Sequence, residues 1–165
     1  MELWDAYNEN EIKVGIDLIR GEKIAEGLLH AIVVIVVRHE DGTYLVVQRD
    51  WNKAQFPGLW EAGASGCVLK GESFLEAAKR ELVEETGIIC KSLELIYSSA
   101  DVEVNAFYKM YLCNCNIHKN NIVLQKGETI NYKWISSNEL IEFIDSKYFI
   151  NPSPKEFVKY IRSNQ

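Results

Sequence analysis

Hydrophobic and polar positions change period several times along this chain, and each change marks an element. Ala31 to Arg38 is an unbroken run rich in β-branched residues, as a central strand buried on both faces requires. Glu40, Asp41 and Gly42 supply a hairpin turn, and Thr43 to Gln48 returns as a second strand. Lys13 to Ile19 alternates loosely and reads as an earlier strand. From Phe74 the period lengthens: Leu75, Ala78 and Leu82 recur at helical spacing and predict a stripe facing the core. Strands are expected at Ser92 to Ser98 and at Val104 to Cys115, joined through Ala100 and Asp101, and at Ile130 to Ile135. Ser136 or Ser137 can cap a helix through Phe143, and Ser153 with Pro154 starts a last one through Ile161. Strands interleaved with helices predict an α/β fold in which helices cover a sheet.

The helix that begins at Phe74 carries its own punctuation. Ser73 followed by Glu76 reads as a capping box, in which the hydroxyl accepts from an orphan amide and the carboxylate reaches back to the cap. Gly87 after Thr86 supplies the left-handed residue that ends a helix. Between them, Glu81, Glu84 and Glu85 fall within roughly one quarter of the helix circumference, behind Arg80. Like charges so spaced repel by about a few tenths of a kcal/mol each. A solvated acidic face tolerates that cost; a bound cation removes it. Ala77, one turn before Glu81, is expected to leave room for a ligand on that side.

Hard divalent ions prefer carboxylate oxygen, and magnesium bridges one or two protein carboxylates to substrate phosphates. No Cys or His accompanies the three glutamates at ligand spacing, which argues against zinc. Cys113 and Cys115 flank Asn114 as side chains on one face of a strand do. Together with Cys67 and Cys90 they form no disulfide framework, as expected of reduced thiols in a cytoplasm.

Composition narrows the classes further. At 165 residues, 47% hydrophobic and 25% charged, the chain suits one globular domain, 1–165, with a substantial core. A net charge of -6 disfavours nonspecific binding to nucleic-acid backbones. The polar, acidic N-terminus lacks a signal-peptide core, and the apolar run at Ala31 to Val37 is far shorter than the ~20 residues a membrane-spanning helix needs. A cytoplasmic protein acting on a small molecule, without nucleic acid or membrane, is expected; a homodimer is compatible with this reading.

The segment from Gly66 to Ile88 resembles the signature of the Nudix hydrolases at every specified position: Gly66, Glu72, Arg80, Glu81, Leu82, Glu84, Glu85, Gly87 and Ile88. The resemblance implies an α/β/α sandwich with a mixed sheet and a hydrolase that cleaves a diphosphate linkage using magnesium or manganese. It implies Glu81 and Glu85 as metal ligands, joined by the Gly66 carbonyl, and Glu84 as a third ligand or a base. Arg80 would pair with Glu72 to brace the loop on the helix. Phosphoryl transfer needs positioning and charge neutralisation more than a protein nucleophile, so the lack of a Ser-His-Asp arrangement is consistent.

Several residues outside the box are candidates for the pocket. Arg49 can clamp phosphate oxygens, and Glu128 occupies a position where many Nudix proteins carry an acid near the metal; Glu103 is a lesser candidate. Phe56, Trp60 and Tyr108 can stack on a base or contact a prenyl group, or belong to the core. The flanks Leu3-Trp4-Asp5, Arg20-Gly21, Gly27, His30 and Phe56 to Trp60 resemble the branch related to isopentenyl diphosphate isomerase. An isomerase is thus one alternative. Its catalytic Cys and the following His align with Ser65 and Cys67, and its second metal-site His with Lys23, so the key side chains differ; His30 then reads as a structural histidine. A nonhydrolytic nucleotide sensor is the other alternative, opposed by the intact set of box carboxylates.

Overall fold

The computed structural model describes residues 1–150 and 154–164. Its centre is β3 (His30–His39), whose apolar run is buried on both faces as the sequence predicts. The strand pairs parallel with β8 (Ala106–Cys115) along its whole length and antiparallel, at its end, with β4 (Tyr44–Arg49). β5 (Trp60–Ala62) and β9 (Thr129–Ile135) join β4, β7 (Glu94–Asp101) joins β8, and β6 (Ala64–Cys67) lies antiparallel against the first half of β3. The sheet is therefore mixed, with one parallel pair at its core.

Alternation along β3 and β8 sends successive side chains to opposite faces and so builds two cores. Val33, Ile35, Val37, Phe107 and Tyr111 meet Phe74, Ala78 and Leu82 of α1 (Phe74–Thr86). Val34, Val36, Met110 and Leu112 meet Leu140 and Ile144 of α2 (Ser137–Ile144) and Phe157 and Ile161 of α3 (Pro154–Ser163). Helices thus cover both sheet faces, the expected α/β/α arrangement. A separate hairpin, β1 (Leu3–Tyr7) with β2 (Lys13–Ile19), is anchored by Trp4, which stacks on His30 with ring centroids 4.9 Å apart.

The local signals on α1 hold. Ser73 and Glu76 form the reciprocal capping box, and Gly87 closes the helix at φ 72°. The stripe does not hold as expected: Leu75 is exposed, and Ala77, expected to leave open room beside the acids, is fully buried in the core. The helix is rotated so that Ala77, Ala78 and Leu82 face the sheet, since close approach favours small side chains at the contact. Ser136, rather than Ser137, caps α2, in a second capping box. The turn between β7 and β8 lies at 102–105, beyond the expected Ala100 and Asp101, with Asn105 at φ 54°. Ser153 lies outside the described residues. The short strands β1, β5 and β6 were not apparent from periodicity.

Candidate active site

The site forms where α1 passes the end of β6. Arg80 is its brace. Its Nε and Nη2 donate to the two oxygens of Glu72 at 2.7 and 2.8 Å, and Nη2 also donates to the Cys67 carbonyl at 3.0 Å. Nη1 reaches Glu81 at 2.6 Å and Glu84 at 3.3 Å. The expected Arg80–Glu72 pair is present, and it ties the loop before the helix to the middle of the helix. Charge-assisted, forked bonding of this kind sets direction as well as energy.

The three carboxylates occupy different environments. Glu84 is the most open, with 44% of its side chain exposed. Glu81 is largely covered; burial pushes its carboxyl up to about 7, against the pull of Arg80 and with a further push from Glu84 and Glu72. Glu85 is only 4% exposed and accepts from the Ser65 backbone N–H at 3.1 Å. Burial, followed by the nearby charges of Glu61 and Glu81, drives its carboxyl well above the ordinary range. Among the described residues no cationic side chain pairs with Glu85.

Gly66 explains how Glu81 fits. A Cβ added there would lie 2.1 Å from Cδ and Oε1 of Glu81, so the carboxylate fills the space that any side chain at 66 would take. This cradle and the oxygen-only donor set suit a hard divalent cation. Among the described residues no three His, Cys, Asp or Glu side chains are drawn to ligand spacing; Glu81 and Glu84 both accept from Arg80.

One acid was missed by sequence reasoning. Glu61, on β5, is 6% exposed, accepts from Ser65 Oγ at 2.6 Å and from Arg49 Nη1 at 2.9 Å, and stands beside Glu85. Its signal, a lone acid between Trp60 and Ala62 in an otherwise apolar strand, is visible only once β5 is known to be buried.

Glu61, Glu81, Glu84 and Glu85 line one cavity of about 860 Å³. Arg49 lines it as well, held by Glu61 and by the Gln55 carbonyl at 3.3 Å. Glu128 lines it in an ion pair with Lys53. Phe56 and Tyr108 face the cavity. Trp60 belongs to the core instead, its ring 5.9 Å from that of Phe143, and Glu103 is exposed in the turn after β7. His30 donates through Nδ1–H to the Asn105 carbonyl, 2.7 Å away, and stacks on Trp4, which accounts for it structurally. Ser65 and Cys67, the positions that align with the isomerase's catalytic Cys and the His that follows it, are a hydroxyl donating to Glu61 and a thiol pushed by burial up to about 11.

Comparison with known proteins gives the arrangement its family. Residues 28–160 match the NUDIX domain. The chain belongs to the Nudix hydrolases. It is 33% identical over 153 residues to the Nudix hydrolase lmo0368 of Listeria monocytogenes, a match covering 91% of this chain and 89% of that protein. In fold it is similar to DR0079 from Deinococcus radiodurans, with a TM-score of 0.78 at 19% identity over 98% of each chain. It is also similar to the NUDIX domain of Shewanella oneidensis NrtR, solved with ADP ribose, with a TM-score of 0.63 at 17% identity over 82% of this chain and 88% of that one. The Nudix box is thus the loop, helix and loop from Gly66 to Ile88, and the protein is a pyrophosphohydrolase of this family. Among the described residues no helix is long and apolar enough to cross a membrane.

Proposed function

We propose that this Nudix enzyme is a divalent-metal-dependent hydrolase of a diphosphate linkage in a nucleoside diphosphate derivative or related small molecule. The observation that carries the reading is the gathering of Glu81, Glu84 and Glu85 on the wall of one cavity, Glu85 buried and Glu81 largely covered, with the Glu81 carboxylate seated in the space that Gly66 leaves. Glu81 and Glu85, with the Gly66 carbonyl, would hold a magnesium or manganese ion, which when bound neutralises diphosphate oxygens and lowers the pKa of water.

The protein's own groups do the rest. Arg80 holds Glu81 and Glu84 in place through its grip on Glu72 and the Cys67 carbonyl. Glu84, the accessible acid, takes a proton from the attacking water and returns it to solvent. Arg49, oriented by Glu61, offers its remaining N–H groups to a phosphate oxygen, and Glu128 holds Lys53 on the cavity wall. The reaction is bond cleavage by water at phosphorus, with no covalent enzyme intermediate. The four free cysteines suit a reducing cytoplasm.

The test is a product-resolved screen of nucleoside and prenyl diphosphates with magnesium or manganese. Release of phosphate or a monophosphate is expected; no product from any of them abandons the reading. Allylic rearrangement of isopentenyl diphosphate would replace it with an isomerase.

A further inference from the structure

Of the four cysteines, Cys67 lines the cavity and the other three gather elsewhere. Cys113, on β8, is fully buried in the core beneath α1, and Cys115 follows it two positions along the same strand, on the same face. Cys90 comes from a different segment, the loop between α1 and β7. That loop weaves: Ile88 is buried, Ile89 is exposed, and Cys90 turns back half-buried. Cys90 and Cys115 both pack against the apolar cluster that contains Cys113.

Hydrogen bonding pairs two of these thiols. Cys90 Sγ–H donates to the Ser92 carbonyl at 2.9 Å, which leaves the sulfur lone pairs open. The Cys113 thiol is hydrogen-bonded to Cys90, whereas the Asn114 carbonyl on its own strand is 4.0 Å away. Burial, and then the bond to Cys90, keep the proton on Cys113 well above the ordinary thiol range. Side chains two apart on one strand stand about 7 Å from each other, too far for Cys113 and Cys115 to bridge without moving the backbone. Among the described residues no three such side chains stand at metal-ligand spacing, so the contact is a pair of thiols and not a metal cage.

We propose that Cys90 and Cys113 are a modification site at which hydrogen peroxide closes a reversible disulfide, Cys90 being the attacking thiol and Cys113 the resolving one. The roles follow from access, since Cys90 meets solvent and Cys113 does not. The Cys90 thiolate attacks one peroxide oxygen; the O–O bond breaks, the sulfur is oxidised to a sulfenic acid, and the second oxygen leaves as water after taking a proton. Cys113 sulfur then attacks the sulfenic sulfur. The S–S bond forms as the S–O bond breaks, and the departing hydroxide takes the Cys113 proton and leaves as a second water. Two thiols and one peroxide thus give one disulfide and two waters, and a dithiol reductant reverses the bond by exchange. The retained proton keeps Cys113 from reacting with peroxide alone, while contact makes its step on Cys90 intramolecular. The bond ties the loop leaving the acid-bearing helix to the core strand β8.

The folded protein treated with hydrogen peroxide, quenched in acid, alkylated and mapped by mass spectrometry tests this directly. A Cys90–Cys113 cross-linked peptide is expected, lighter than its two reduced parts by two hydrogens, with two of the four thiols still free; dithiothreitol should restore all four. Cys90→Ser, at a half-buried position, should abolish the cross-link and leave Cys113 reduced. Cys113→Ala should instead leave sulfenic acid standing on Cys90, raising its capture by dimedone about tenfold or more over the parent. Should Cys113→Ala fail to fold, the parent map and Cys90→Ser decide the matter by themselves. Four free thiols after peroxide, sulfinic acid on Cys90 without a cross-link, or a bond from Cys90 to Cys115 or to a second chain overturns the proposal.

Discussion

The Glu81 carboxylate occupies the volume of the side chain that Gly66 lacks: a Cβ at 66 would stand 2.1 Å from its Cδ and Oε1. The clash is with the far end of a flexible side chain and not with backbone, so Gly66→Ala can fold by turning Glu81 aside. The expected result is a change in stability below about 1 kcal/mol with a loss of turnover of about a hundredfold or more. Thermal melts and kcat measured together check it; a protein that stays active shows that the position of Glu81 is unimportant.

Removing charge at the buried acid should separate catalysis from stability. Glu85→Gln deletes a carboxylate that has one backbone N–H partner and no cation beside it, so the metal-free variant should be at least as stable as the parent while turnover falls by orders of magnitude. Glu84→Gln should lower turnover similarly with little change in Tm, its side chain being 44% exposed. Unfolding of both variants would assign these residues a structural role.

The raised carboxyls dictate a pH dependence. Glu81, about 7 in the folded protein against 4.5 for the ordinary group, binds more protons folded than unfolded between those values. Stability from this source is full below about 4.5 and declines as pH rises through about 7, by about 3 kcal/mol at most. Glu85 acts in the same direction, and His30, whose ring is pushed down by burial, opposes it below about 6.5. In EDTA, Tm should fall from pH 5 to pH 8, magnesium should recover it at pH 8, and Glu81→Gln should flatten the decline. An unchanged slope in Glu81→Gln would refute the assignment.

Arg80→Lys keeps the charge and discards the fork. The two oxygens of Glu72 and the Cys67 carbonyl then lose a shared planar donor. Urea unfolding should register a loss of about 1–3 kcal/mol, and kcat should fall as Glu81 and Glu84 lose their fixed direction. A variant with parental stability and rate would reduce Arg80 to a surface charge.

Much of the box was legible because its determinants are local. Ser73 with Glu76, Gly87, and the pairing of Arg80 with Glu72 act over eight residues or fewer, a range within which helical geometry itself sets distance. The long apolar strand at β3 was legible for a similar reason, since the unbroken apolar run from Ala31 to Val37 leaves few alternatives. Glu61 was not: a three-residue strand is defined by β4 beside it, and nothing in Trp60, Glu61 and Ala62 alone reveals that the acid is buried against Glu85.

The order of residues along the chain by itself determined which acids share a helix face, where that helix starts and stops, and that Gly66 precedes it at a set spacing. Only the tertiary structure decided which face was buried, turning Ala77 inward and Leu75 outward, because rotation about the helix axis is set by the sheet it packs on. It likewise decided the parallel match of β3 with β8 and the antiparallel match with β6, which bring Tyr108, Ile32 and Cys67 into one row. Those contacts join residues tens of positions apart, and only the packing of both cores selects their register.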